Sequence, residues 1–179
     1  MKKLSLIIFV LSLMLINGCD PFEDYYINLK MDQQFQLVGI GPNIDQQINF
    51  CLTDYDDYND NVDKIEQIKY MDAAYLTLDA SQNLSGDNLI LKLYESDGST
   101  LIFEYRLPSF VASDYENKPL HIQLSQSAKD NLNRYLSDHR RNNCFKAVLS
   151  VENVQSDNPL TLFYLNAKIE FVAELKLNP

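Results

Sequence analysis

The last part of the chain alternates apolar and polar residues over a long stretch. Every second residue from position 163 is apolar, and this set is Phe163, Leu165, Ala167, Ile169, Phe171, Ala173, Leu175 and Leu177. A helix would scatter such a set around its circumference, whereas a pleated strand places it on one side. The pattern therefore predicts an antiparallel strand with one solvated face. Because strands usually have about 3–10 residues, we expect a bend or bulge near residues 166–168.

The same alternation recurs upstream in shorter runs. Residues 145–151 form one run, which ends at the turn-forming sequence 156–159. Residues 89–93 and 101–105 form two more, and Asp97-Gly98 between them predicts a hairpin. Further strand candidates are residues 27–31, 35–40, 48–52, 74–78 and 120–124. These runs predict a mostly β chain: a single antiparallel β-sandwich, immunoglobulin-like or jelly-roll in type, with one short helix. The alternative is a small up-and-down β-barrel.

Two segments depart from the period of a strand. Within residues 127–140 the side chains of Ala128, Leu132, Tyr135, Leu136 and His139 share one helical face, behind serines suited to cap the N-terminus. This spacing predicts a helix that covers one open end of the sandwich. Residues 62–68 predict a second, single-turn helix leading into the strand that starts at Ala74.

The N-terminus carries a targeting signal. Lys2 and Lys3 precede an apolar run over residues 4–16, which is too short to cross a bilayer but typical of a secretory signal peptide. The run ends in Ile16, Asn17, Gly18 and Cys19. These four residues resemble the lipobox of bacterial lipoproteins, in which a small residue precedes a cysteine that is acylated on sulphur and becomes the new N-terminus.

The resemblance implies a domain organisation and an address. Residues 1–18 would be the signal peptide, residues 19–25 an acidic tether and residues 26–179 the folded β-sandwich domain. Several acyl chains on Cys19 would anchor the protein firmly in a membrane. We therefore expect attachment to the cell membrane or outer membrane, with the domain facing the periplasm or the cell exterior.

Charge and composition exclude two classes of ligand. The chain has 179 residues and a formal net charge of −10, and loss of residues 1–18, which hold two lysines and no acid, would make it −12. Such a surface is unsuited to nucleic acid, because gripping phosphates needs a basic stripe. The chain has only five glycines and no glycine-rich loop to cradle a phosphate, which argues against nucleotides.

An acidic stretch over residues 54–63 is the first candidate site. Its oxygens suit a hard cation, so Asp54, Asp56 and Asp60 are candidate ligands for weak Ca²⁺ binding, although the spacing does not fit an EF-hand. A solvated loop without metal is the alternative. Tyr55 and Tyr58 in the same stretch are candidate contacts for a sugar or a protein partner, with packing over the end of the sandwich as their alternative.

The remaining reactive side chains are few. Cys51 and Cys144 are the only thiols besides Cys19, and outside the cytoplasm they form either a disulfide or two free thiols. His121 points away from the core of its predicted strand, and His139 follows the predicted helix. With two histidines, no H-E-x-x-H and no G-x-S-x-G, no catalytic or zinc site assembles, and we expect no cofactor.

These observations lead to a ranked set of functions. The first is a membrane-anchored envelope lipoprotein that is not an enzyme and serves as a protein-binding or assembly module. The alternative is a carbohydrate-binding lipoprotein, motivated by the 11 tyrosines. A hydrolase built from scattered carboxylates is a third hypothesis, because its paired acids would have to meet in space. A flat apolar patch would favour a protein partner, and a tyrosine-lined cleft would favour a glycan.

Overall fold

A computed structural model describes residues 24–157 and 162–178. The lipobox, most of the tether and part of the turn at 156–159 lie outside the described residues. The strands are β1 (Tyr25–Gly39), β2 (Ile44–Cys51), β3 (Ile65–Ala80), β4 (Ser85–Glu95), β5 (Leu101–Val111), β6 (Leu120–His121), β7 (Cys144–Glu152) and β8 (Phe163–Leu177). The α-helices are α1 (Asp56–Asn59) and α2 (Gln126–Leu136), and 3-10 turns span Leu52–Asp54 and Ala112–Tyr115.

The strands form two antiparallel sheets, ordered β1-β8-β3-β6 and β2-β7-β4-β5. Consecutive strands therefore mostly cross between sheets, and the eight strands make the double Greek key of a jelly roll. The predicted antiparallel β-sandwich is confirmed, in its jelly-roll form. The barrel alternative is wrong, because the strands of the described part divide into two separate sheets that pack face to face.

Strand β8 has the alternation that the sequence predicts. Its odd-numbered residues from Phe163 to Leu177 are all buried between the sheets. It pairs with β1 without a register shift from Gly39↔Phe163 to Tyr25↔Leu177. The irregularity expected near residues 166–168 lies instead in the neighbouring β3, where Leu78 is an extra residue opposite the Asn166–Ala167 step.

Strand β3 is longer than the sequence suggests because bulges interrupt its alternation. Three register shifts against β8 insert Glu66, Met71 and Leu78, and all three are exposed. Each bulge shifts the buried set by one position. The resulting three-residue spacing of apolar residues, as at Ile65 and Ile68, imitates a helix, so the single-turn helix predicted over 62–68 is wrong.

The predicted hairpin consists of β4 and β5. The Asp97 carboxylate accepts hydrogen bonds from the backbone and hydroxyl groups of both Ser99 and Thr100. These bonds hold the pKa of Asp97 below its usual range, and Gly98 supplies the positive φ of 68° that the turn needs. A bulge between Leu93 and Tyr94 turns Ile102 inward and leaves Leu101 exposed.

The predicted long helix is α2, which ends four residues before the expected Arg140. The Ser125 hydroxyl accepts the Ala128 amide at 3.2 Å as the N-cap. Leu132, Tyr135 and Leu136 face the core. The helix closes one open end of the sandwich, as expected.

The two ends of the sandwich differ in what they carry. The near end is where β1 begins and β8 ends, so it is next to the predicted tether. It holds residues 52–64, the 96–100 turn, and residues 122–143 with α2. The far end holds the connections at residues 40–43, 81–84, 112–119 and 153–157.

Candidate functional site

A disulfide lies at the near end. Cys51 and Cys144 stand directly opposite each other at the ends of β2 and β7, with an S–S distance of 2.08 Å. The Leu52 amide donates to the Asn143 carbonyl at 2.7 Å beside it. Because the bond joins residues 93 positions apart, it restrains a large part of the unfolded chain.

The acidic stretch also lies at the near end, and it is folded. The Asp54 carboxylate accepts the Cys51 amide at 2.7 Å, which caps the first 3-10 turn, and Asp56 begins α1. Within residues 24–157 and 162–178, no three His, Cys, Asp or Glu side chains form a group that would hold a metal. The weak Ca²⁺ site at Asp54, Asp56 and Asp60 therefore stays a prediction.

The two tyrosines of this stretch have different surroundings. Tyr55 is half-buried, with its hydroxyl hydrogen-bonded to the Gln33 side chain of β1. Burial, and then the Asp54 carboxylate, raise the pKa of Tyr55 to about 12. Tyr58 is only 1% exposed, so its predicted contact with a ligand is wrong, and packing over the sandwich end is its role.

Tyr58 is bound to His139, a contact that the sequence does not reveal. The Tyr58 hydroxyl lies 3.0 Å from His139 Nδ1 and donates to the His139 carbonyl oxygen at 3.2 Å. Burial, and then the charge of Arg140, lower the pKa of His139. The pair joins α1 to the segment after α2 across 81 positions, so no local pattern could have signalled it.

His121 occupies an exposed depression on the outer face of the β1-β8-β3-β6 sheet. Its Nδ1 lies 2.9 Å from the Asp72 carboxylate. The depression has a volume of about 210 Å³, and its lining also includes Ala74, Leu76, Pro119, Lys168 and Glu170. A carboxylate that orients an imidazole is half of a nucleophilic arrangement, but this lining contains no serine, threonine or cysteine.

The far end of the same outer face is apolar. Among the described residues nine large apolar side chains are exposed, and five of them gather here. We call this set the far patch: Val38, Ile40, Leu78, Leu162 and Tyr164. Of the other four, Tyr25 and Tyr26 adjoin the tether, whereas Met71 and Leu101 lie apart from the patch in β3 and β5.

The geometry of the strands explains the far patch. Val38 of β1 and Tyr164 of β8 are direct cross-strand partners. Ile40 and Leu162 follow just beyond the paired Gly39 and Phe163. Leu78 of β3 is exposed on the same face, next to buried Thr77, and the bulge at Leu78 leaves Asp79 exposed beside it.

A polar groove opens at the far end of the other sheet. We call it the far groove; it has a volume of about 260 Å³ and is lined by Ser85, Gly86, Asp87, Ser109, Phe110, Val111, Asn153 and Gln155. Ser109 and Asn153 adopt positive φ angles of 55° and 51°. The Asn153 amide group donates to the Asp87 carboxylate at 2.7 Å. Gly86 is required, because an added Cβ would lie 2.8 Å from the Glu152 carbonyl oxygen.

Comparison with known proteins identifies similar structures but no family. No family model matches the chain, and no curated protein matches it in sequence. The Desmodium yellow mottle tymovirus structure is 10% identical with a TM-score of 0.39, and the comparison covers 86% of this chain and 90% of that one. The decameric BFDV capsid protein is 12% identical with a TM-score of 0.43, covering 86% and 99%.

Within residues 24–157 and 162–178, no helix combines the length and the apolar character needed to cross a bilayer.

Proposed function

We propose that this chain is a lipid-anchored envelope lipoprotein whose jelly roll is a non-enzymatic module that binds a protein partner. The anchor is Cys19, as the resemblance of residues 16–19 to a lipobox implies. The observation that carries the binding role is the far patch. Clusters of exposed apolar side chains on an otherwise polar surface commonly mark contact sites.

The position of the far patch suits an anchored binding module. Strand β1 starts beside the tether and reaches the far end after 15 residues, a span of about 50 Å at the rise of an extended strand. The near end carries the acidic residues of 54–63, which anionic headgroups would repel. An anchored domain would therefore stand away from the bilayer and present the far patch outward.

The chemistry of the far patch favours a protein over a sugar. Four of its five side chains are aliphatic, and Tyr164 is the single aromatic ring. Protein contacts bury such a surface at their centre behind a polar rim. Sugar sites instead combine stacking rings with convergent polar groups, whereas Tyr58 is buried and Tyr55 is half-buried with its hydroxyl bonded to Gln33.

A carbohydrate ligand is the second candidate, and the far groove is the observation that favours it. The groove gathers a carboxylate, two carboxamides and two hydroxyls from Asp87, Asn153, Gln155, Ser85 and Ser109. Glycan arrays with wild type and the Asp87→Ala variant test this role. Glycan binding that the variant loses would replace the protein-binding proposal. If the folded wild-type protein binds no glycan on the array, the carbohydrate-binding role is excluded.

Metabolic labelling tests the anchor. Cells given an alkyne fatty acid should label the wild-type protein and the Cys51→Ala/Cys144→Ala control, but not the Cys19→Ala variant. The Cys19→Ala protein should also leave the membrane fraction. Label that persists without Cys19, or wild-type protein without label, would contradict lipidation at this residue.

Affinity purification from gently solubilised membranes tests the binding role. Wild type should recover a stoichiometric protein partner, and Leu78→Ser should lower its recovery at least five-fold. Leu101→Ser is the matched control, because Leu101 is similarly exposed but lies outside the far patch. If no partner is recovered while the purified protein turns over a substrate, the module is an enzyme and the proposal is wrong.

A further inference from the structure

We infer that the far patch docks a protein whose contact surface is apolar at its centre and basic around its rim. This inference rests on the proposed function and adds the chemistry of the partner. It follows from the charges that surround the patch.

Carboxylates border the far patch. The Asp79 carboxylate accepts a hydrogen bond from the Tyr164 hydroxyl at 3.5 Å. Asp157 is exposed at the same end, and the Asn83 side chain donates to its carboxylate at 2.6 Å. Asn83 follows two residues after Ser81, whose amide donates to the Tyr164 carbonyl. These hydrogen bonds hold both carboxylates in position.

The cations nearby are neutralised or few. Lys168, on the same outer face, is paired with Asp32 at 3.3 Å and Glu170 at 3.5 Å. The connections at the far end, residues 40–43, 81–84, 112–119 and 153–157, carry the carboxylates of Asp114, Glu116 and Asp157 and one cation, Lys118. The far end therefore carries an excess of acidic over basic side chains, and Asp79 contacts the patch itself.

Charge complementarity selects among the occupants of such a surface. A basic rim on the partner would be attracted during encounter and would fix the register of the complex. A second copy of this chain docked symmetrically would place acidic rims against each other. An anionic lipid surface would be repelled for the same reason.

The partner is expected to use side chains rather than add a strand to the sheet. Strand β1 is the edge of its sheet next to the patch, where a free backbone would invite a pairing strand. The Gln36 amide of this strand already donates to the Gln46 side chain of β2. We therefore expect the partner to contact the exposed side chains of the outer face.

Site-specific photo-crosslinking in the full, membrane-anchored protein tests the inference. Benzophenone side chains at Val38 and Leu78 should give one discrete protein adduct, whereas the same group at Met71 and Leu101 should not. The partner peptides in the adduct should have lysine or arginine beside apolar residues. The double substitution Asp79→Asn and Asp157→Asn should lower the adduct yield at least five-fold. Higher salt should also lower the adduct yield of the wild-type protein, because it screens the attraction between the charges.

Several outcomes would overturn the inference. These are adducts to a second copy of the chain or to lipid, equal yields from Met71 and Leu101, or a yield that the loss of both carboxylates leaves unchanged. Far-patch adducts that persist in the Cys19→Ala protein would uphold docking where anchoring fails. Labelled Cys19 without any far-patch adduct would refute docking while anchoring stands.

Discussion

The near and far ends of the sandwich differ in whether their side chains are buried in contacts or exposed to solvent. At the near end a disulfide, the buried Tyr58–His139 pair and helix α2 seal the core. The Tyr135 hydroxyl adds bonds to the Ser96 amide at 3.1 Å and the Cys144 carbonyl at 2.8 Å. At the far end, five apolar side chains stay exposed. The contrast is that the near end is closed by covalent and buried polar contacts, whereas the far end exposes an apolar surface.

An ionic contact also fixes the start of the fold at the near end. The Lys176 ammonium of β8 is paired with Glu66 at 2.9 Å and with Asp24 at 3.1 Å. These hydrogen bonds, that with Glu66 first, raise the pKa of Lys176. Asp24 belongs to the predicted tether, so the pair sets where the tether leaves the domain.

Of the changes considered, removal of the disulfide should have the largest effect on the stability of the near end. Cys51→Ala/Cys144→Ala should lower the free energy of unfolding by about 3 kcal/mol, because the unfolded chain regains the freedom of a long loop. Urea denaturation measures the loss. Reduction of wild type should reproduce it, and a midpoint that neither change moves would show that the near end does not depend on this bond.

Loss of the buried hydroxyl at the near end should come next. Tyr58→Phe should cost about 1–2 kcal/mol, since His139 would lose a hydrogen-bond partner within the core. Chemical denaturation gives the value. Tyr164→Phe is the matched control at the far end, where the exposed hydroxyl should contribute much less, and equal losses for the two variants would abolish the contrast.

Acid should weaken the near end through His139. Because burial lowers the pKa of His139 in the folded state, the unfolded chain binds its proton first, near pH 6.5. The contribution of neutral His139 is therefore complete above that pH and is lost as the pH falls below it.

Urea midpoints at pH 7.5 and 5.5 check this expectation. Wild type should lose more stability between the two values than His139→Gln, whose side chain does not titrate. If the His139→Gln protein loses as much stability between pH 7.5 and 5.5 as wild type does, His139 is not the titrating group.

Polar substitution in the far patch should have the smallest effect. Leu78→Ser should change the free energy of unfolding by no more than about 0.5 kcal/mol, as is usual for exposed sites. Thermal denaturation alongside the matched Leu101→Ser variant measures it. A loss as large as that of Tyr58→Phe would mean that the patch belongs to the core and is not a surface held for a partner.

Sequence alternation was most informative where strands are regular. Strand β8 and the β4–β5 hairpin were predicted because each has an uninterrupted period or a turn with its own chemistry, as Asp97-Gly98 has. Strand β3 was missed over most of its length because its bulges break the period. The pairing order that distinguishes a jelly roll from an immunoglobulin-like sandwich joins residues far apart, which no local pattern encodes.

The candidate site was the less predictable part. The sequence pointed to the acidic stretch and its tyrosines, but the fold buries Tyr58 and uses Asp54 as a cap. The far patch escaped detection because its members come from β1, β3 and β8 and from their ends. Each is an ordinary apolar residue in the sequence, and only the pairing of strands brings them together.

By itself, the sequence determined the β class, the strand that dominates the core and the acidity, and it predicted a lipid anchor at Cys19. Those properties depend on local period, composition or a contiguous motif. Tertiary structure alone decided which strands meet, which cysteine and histidine contacts form, and where apolar side chains stay exposed. Strand pairing acts between distant segments, and it brings Leu78 beside Val38 and Tyr164 to form the surface proposed for a partner.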